Sequence, residues 1–159
     1  MCSPIDQTQY LIANFNGGVW SLQDMADTQY KAIARRFVEE IFNARKIEAA
    51  KNLVTPDIIY HGIAEEIRGL EDFKKWVGED LSAFSDMQIT ILDEIEEQNK
   101  IAMRWTLKTT QEKDFAGTTA SHKKIEIEGT EILHFEKDKI KEAWTTFNMA
   151  ELVKWPKLG

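Results

Sequence analysis

Apolar residues recur at intervals of three and four between residues 28 and 43, which predicts an amphipathic helix with one buried face. Asp27 or Thr28 can cap its start, and it is predicted to end around Asn43. Two further helices are predicted, a short one that stops before Pro56 and a longer one that ends at Phe84. Their apolar positions are Ile47, Ala50 and Leu53 in the short helix, and Leu70, Phe73, Trp76, Val77 and Leu81 in the longer one.

The pattern changes to β-branched and aromatic residues in the rest of the chain, which predicts strands. The first is short and covers residues 57–61, closed by Gly62, and a turn follows at Arg68 and Gly69. Four longer strands are predicted at residues 87–97, 100–110, 123–136 and 139–147. Residues 111–121 are predicted to form a loop, and a short terminal helix runs through Leu152 and Trp155.

Helices followed by a long run of strands predict an α+β fold, with a curved antiparallel sheet wrapped over the N-terminal helices as a cone-shaped barrel. The interior of such a cone commonly becomes a ligand cavity. Residues 1–26 lack a sustained period and are predicted to be an extension that docks on the body or on a second chain. Residues 27–159 are predicted to be one domain.

Composition narrows the possible partners and chemistry. The net charge of -7 and pI near 5.1 argue against nucleic acid or an anionic membrane surface as a partner, and a soluble, cytoplasmic protein is expected. The single cysteine, Cys2, excludes an intrachain disulfide. Three dispersed histidines do not have metal-ligand spacing, and no phosphate-binding glycine loop is present, so neither a metal nor another cofactor is expected.

Several polar and aromatic residues are candidates for the cavity. His61 ends a strand beside Tyr60, where it is either a functional group at the pocket rim or a structural histidine bonded to a carbonyl. His122 is either a functional group or a solvent-exposed loop histidine. Trp105, beside Arg104, is expected to face inward and Arg104 outward. Trp76 and Phe37 can line the pocket from the helices, although an aromatic stripe at helical spacing is more often core.

The order of elements, the Arg104-Trp105 pair, the segment at residues 129–144 and the Asn148 that follows it resemble the SnoaL-like polyketide cyclases of the nuclear transport factor 2-like superfamily. The resemblance covers roughly residues 28–155. It implies a homodimer formed through the outer sheet face. It also implies a catalytic aspartate at the position of Asn148, and a Gly-Thr-His triplet where this chain has Thr109, Thr110 and Gln111.

If Asn148 points inward, as the resemblance implies, other residues of the last strand also point inward, because residues two apart on a strand face the same way. The residues of the same parity are Glu142, Trp144 and Thr146. Trp144 would then be a pocket wall and Glu142 a carboxylate deeper on that face. The alternative is that Trp144 belongs to the core and Glu142 is a solvated charge.

Two hypotheses about function follow from these residues. In the first, the protein binds a small, largely apolar polyketide-, steroid- or terpenoid-like molecule and acts as a cofactor-free cyclase or isomerase. His61 or His122 would move the proton, while Asn148 and Gln111 orient a carbonyl group. In the second, the protein is a ligand-binding or protein-interaction module that lacks the family's catalytic acid, because an amide cannot exchange a proton near neutral pH.

Overall fold

The computed structural model describes residues 22–62, 65–115, 117 and 119–148, with side chains from residue 29 onward. Helix α1 spans Leu22–Arg36 and therefore begins earlier than the predicted Asp27, and it continues as a π-helix over Phe37–Asn43. A 3-10 turn at Ile47–Ala49 leads into the short α2, Ala50–Leu53. Helix α3 spans Leu70–Ala83. Most of the predicted extension and the terminal helix near Trp155 lie outside the described residues.

In the described part of the chain, six strands form a single curved sheet that does not close into a barrel. They are β1 Val54–His61, β2 Glu66–Arg68, β3 Gln88–Glu97, β4 Lys100–Thr110, β5 Lys124–Glu136 and β6 Lys139–Phe147, in the spatial order β2-β1-β6-β5-β4-β3. The α+β architecture is confirmed, but the sheet is mixed, because β1 pairs in parallel with β6. The prediction of an all-antiparallel sheet is wrong at this pair.

The beginning of the sheet also differs from the prediction. Strand β1 starts at Val54 and passes through Pro56, where the pairing with β6 shifts register between Val54 and Ile59. Proline has no N–H to give to a ladder, so it fits this irregular segment. The three-residue β2 pairs antiparallel with β1 where only a turn was expected, since so short an element carries little periodic signal.

The core lies between the helices and the concave face of the sheet. The helices contribute fully buried Phe37, Ile41, Phe73 and Val77, and the sheet contributes fully buried Ile58, Ile101, Leu133 and Ile140. Phe37 packs on Phe42 and Phe73, with ring centroids 5.6 and 6.0 Å apart. No helix in the described part of the chain has the length and apolarity needed to cross a bilayer.

Candidate functional site

A cavity of about 100 Å³ opens between α3, the end of the π-helix and the concave face of the sheet. Most of its wall is aromatic or aliphatic. The lining residues are Val38, Phe42, Tyr60, Gly62, Glu65, Trp76, Asp80, Phe84, Met87, Ile89, Trp105, Leu107, Phe115, Ile127, Glu131, Thr145 and Phe147. These described residues include no lysine, arginine or histidine, so none of them is a cationic partner for the carboxyl groups of the wall.

Glu131 is the most deeply buried acid of this wall. It lies on β5 in the inward-facing row that contains Ile127 and Leu133, and it is only 6% exposed. Burial raises its pKa to about 8, although an interaction with Tyr60 acts in the opposite direction. Its Oε1 atom has no hydrogen-bond partner among the described residues. At neutral pH, Glu131 is therefore a protonated acid whose hydroxyl can donate a hydrogen bond to a bound molecule.

Tyr60 faces the same space from β1. Its hydroxyl is within hydrogen-bonding reach of Glu131 and Thr145. Burial, with the nearby charge of Glu131, raises the pKa of Tyr60 well above its usual value, so the phenol keeps its proton and can donate it in a hydrogen bond. Its ring lies against Trp76, with centroids 4.9 Å apart, which holds the hydroxyl in place.

Asp80 approaches from the opposite wall. It lies one helical turn after Trp76 on α3, so both side chains point from the same helix face into the cavity. Burial raises the pKa of Asp80 to about 7, and its charge acts on Tyr60 across the cavity. The cavity thus contains a carboxyl that is half ionised near neutral pH, opposite two O–H donors.

A SnoaL-like polyketide cyclase family model matches residues 32–154, which is most of the chain. The chain belongs to the SnoaL-like polyketide cyclase family. No curated protein matches it. Solved structures share the fold, as in AclR, a candidate hydroxylase from Streptomyces galilaeus, which is 25% identical with a TM-score of 0.70 over 82% of this chain and 99% of AclR.

Two other solved structures are similar to this SnoaL-like protein. A candidate SnoaL-like polyketide cyclase from Jannaschia sp. CCS1 is 14% identical, with a TM-score of 0.74 over 82% of this chain and 95% of its own. A protein with a ketosteroid isomerase-like fold from Catenulispora acidiphila, in complex with trimethylamine, is 10% identical, with a TM-score of 0.67 over 77% and 89% of the two chains. At these identities the likeness concerns the fold.

Three of the residues singled out from the sequence of this SnoaL-like protein line the cavity, namely Tyr60, Trp76 and Trp105. Trp105 is buried, while its neighbour Arg104 is exposed and bonds Asp93, as alternation along the strand predicts. Phe37 is fully buried in the core and does not line the cavity. Gln111 is also buried and pairs with the lining residue Phe84, but it is not itself among the lining residues.

The polar residues expected from β6 do not line the cavity. Thr145 and Phe147 point inward, so Glu142, Trp144 and Thr146 point to the outer face of the sheet. Asn148 follows the last inward residue and is exposed. This set was expected to face inward because Asn148 was expected to do so. The inward-facing row of β6 is shifted by one residue from that expectation, because Thr145 pairs with the inward-facing Glu131.

The two candidate histidines also lie away from the cavity. Tyr60 takes the inward position on β1, so His61 points to the outer face, where it stacks on Trp144 with centroids 4.9 Å apart. His122 is exposed in the loop before β5, with its Nδ1 atom 3.5 Å from Glu112. Among the described residues, no group of three histidine, cysteine or acidic side chains is arranged to hold a metal ion.

Glu131 and Asp80 were missed by the sequence analysis, although the pattern contains a signal for each. Glu131 interrupts an alternating apolar row of β5 that includes Ile127, Leu133 and Phe135. Asp80 falls on the apolar stripe of α3, between Val77 and Leu81. An acidic residue at a position that the periodicity assigns to the core is uncommon, and it is a sign of a functional group.

Proposed function

We propose that this protein is a cofactor-independent acid–base enzyme that abstracts a proton next to a carbonyl group of a small, largely apolar molecule. A polyketide-, steroid- or terpenoid-like ketone fits an apolar cavity with few polar groups. The observation that carries the proposal is the placement of Asp80 opposite Glu131 and Tyr60 in one apolar cavity, whose described lining residues include no cationic side chain.

The roles follow from the protonation states. The Asp80 carboxylate removes a proton from the carbon next to the carbonyl, and the electron pair of that C–H bond moves to the carbonyl oxygen as an enolate forms. The Glu131 and Tyr60 hydroxyl groups donate hydrogen bonds to this oxygen, where negative charge develops. Asp80 then gives the proton to a different carbon of the conjugated enolate, which isomerises the substrate. If the enolate carbon instead attacks a second carbonyl and closes a ring, Asp80 gives the proton to the alkoxide oxygen that this step forms.

This proposal moves the proton transfer from the histidines to the carboxyl groups of the cavity. The acids on α3 and β5 can take the role of the acid that is missing at Asn148, which supports a catalytic role over a non-catalytic one. A binding module would need the apolar wall but would gain nothing from two buried carboxyl groups, whose desolvation costs stability.

Hydrogen–deuterium exchange tests the proposed function without a known substrate. Cyclohexanone is incubated in deuterium oxide with the protein, and deuterium at the carbons beside the carbonyl is followed by NMR. The wild type should accelerate exchange, Asp80→Asn should remove the acceleration, and Glu131→Leu should reduce it by roughly 10²-fold or more, as the loss of an oxyanion donor does. Exchange no faster than in buffer, despite measurable binding of the ketone, would favour the binding module.

We also propose that two copies associate through the outer sheet face. One row across this face contains Ile95, Ala102, Ile132, Trp144 and His61 in register. Ile95 is 70% exposed and Ile132 44% exposed, so a second copy would cover apolar surface that now faces solvent. A monomeric mass at micromolar concentration, measured by light scattering, would contradict this proposal.

A further inference from the structure

Trp105, Gly129 and Phe147 form one row across three neighbouring strands. Trp105 on β4 pairs with Gly129 on β5, and Gly129 pairs with Phe147 on β6. The rings of Trp105 and Phe147 meet edge to face over the glycine, with centroids 6.1 Å apart. Both aromatic residues line the cavity, so this row forms part of its wall.

The indole of Trp105 occupies the space that a side chain at residue 129 would need. A Cβ atom added to Gly129 would lie 2.3 Å from Cζ2 and 2.4 Å from Cη2 of Trp105. It would also lie 2.9 Å from the carbonyl oxygen of Thr146, so it cannot move toward β6 to relieve the contact. The backbone of Gly129 is extended and Gly129 is not among the residues with positive φ, so its conformation does not by itself require glycine.

The absence of a side chain at residue 129 therefore leaves room for the indole directly over this position of the sheet. With any larger residue, the ring would have to rise from the sheet, and the open space on that side is the cavity. Glu131 lies two residues along the same inward face, so a raised indole would narrow the space beside the acid.

We infer that Gly129 and Trp105 together set the size of the molecule that the cavity accepts beside Glu131. The inference rests on the proposed function only in that the cavity is the ligand site. A molecule with one ring needs less of the space above Gly129 than a molecule with two fused rings. The pair acts as a limit on ligand width and takes no part in proton transfer.

Binding of two ketones tests the inference. Cyclohexanone and the fused-ring 1-tetralone are titrated into the full chain by calorimetry, and the ratio of their affinities is compared between variants. Gly129→Ala should shift this ratio against 1-tetralone by roughly tenfold or more, since a few carbon atoms in an apolar pocket discriminate on that scale. Trp105→Leu removes the ring that covers the glycine and should shift the ratio toward 1-tetralone.

A matched control is Thr130→Ala, a change at the neighbouring, exposed position of β5 that should leave the ratio unchanged. The double variant Trp105→Leu with Gly129→Ala should recover most of the 1-tetralone binding lost in Gly129→Ala. Should Gly129→Ala fail to fold, the Trp105→Leu result decides, and an unchanged ratio in that variant overturns the inference.

Failure of the size limit and failure of the proposed chemistry have different signatures. If the affinity ratio of the two ketones changes in the variants as expected but wild type does not accelerate deuterium exchange, the size limit is supported and the proposed enzymatic function is not. If wild type accelerates exchange but Gly129→Ala and Trp105→Leu both keep the wild-type affinity ratio, the proposed enzymatic function is supported and the size limit is not.

Discussion

The Nε2 atom of His61 lies 2.8 Å from Oε1 of Glu142, on the face of the sheet opposite the cavity. The Nδ1 atom of the same ring lies 3.1 Å from Glu66, so both ring nitrogens of His61 face carboxyl groups. This contact joins β1, β2 and β6 at the surface. It gives His61 a structural environment and places it outside the proposed chemistry.

Replacement of His61 by alanine should therefore leave proton transfer intact. We expect His61→Ala to retain at least about half of the wild-type rate of deuterium exchange, because the ring does not line the cavity. Glu142→Gln is the matched variant on the same contact and should behave alike. If soluble, folded His61→Ala lost more than about tenfold in exchange rate, His61 would take part in the proton transfer and this prediction would be wrong.

The rate of exchange should depend on pH in a bell shape. Asp80 must be ionised to act as a base, and burial raises its pKa to about 7, so the rate rises through that range. Glu131 must be protonated to donate, and burial raises its pKa to about 8, so the rate falls above that value. Rates measured from pH 5 to 10 should lose the descending limb in Glu131→Gln, and persistence of the limb there would assign it to another group.

The stability of the fold should decrease as pH rises through the same range. An acid with a folded pKa above its unfolded value binds more protons when folded, so its stabilising effect is complete below the unfolded pKa and is lost toward the folded one. For Glu131 this window runs from about 4.5 to about 8. Within it, the group contributes a slope of at most about 1.4 kcal/mol per pH unit to the free energy of unfolding.

Glu131→Gln should flatten this dependence, because glutamine does not titrate. Relative to wild type, the variant should gain stability as pH rises from 5 to 9, as measured by urea unfolding at each pH. Asp80 contributes a similar loss at lower pH, from about 3.8 to about 7, and is present in both proteins. Identical pH dependence of wild type and Glu131→Gln would mean that Glu131 titrates normally in the folded protein.

The sequence was sufficient for the architecture because long periodic segments dominate it. The inward row of β5 and the apolar stripe of α3 can be read from spacing alone, and the strands β3 to β6 lie close to their predicted positions. The parallel pairing of β1 with β6 could not be predicted, because it joins segments about 80 residues apart through four residue pairs that a register shift interrupts. Pairing between distant segments depends on how the sheet curls, which local patterns do not encode.

The site was predicted only in part for a related reason. Tyr60, Trp76 and Trp105 were found because large aromatic residues at core positions are visible in a pattern. The catalytic position was predicted at Asn148, at the end of β6, which is one residue past the inward-facing Phe147. The acids were missed because α3 and β5 are distant in sequence, and only the fold brings Asp80 and Glu131 to one cavity.

The protonation state of Glu131 is the central claim, and carbon-13 NMR of the glutamate side-chain carboxyl groups tests it most directly. The full chain is labelled at these carbons, and the Glu131 signal is assigned by its loss in Glu131→Gln. The account predicts a midpoint near pH 8 for this signal. A midpoint near the usual value of 4.5 would show a carboxylate at neutral pH and would contradict its role as a hydrogen-bond donor.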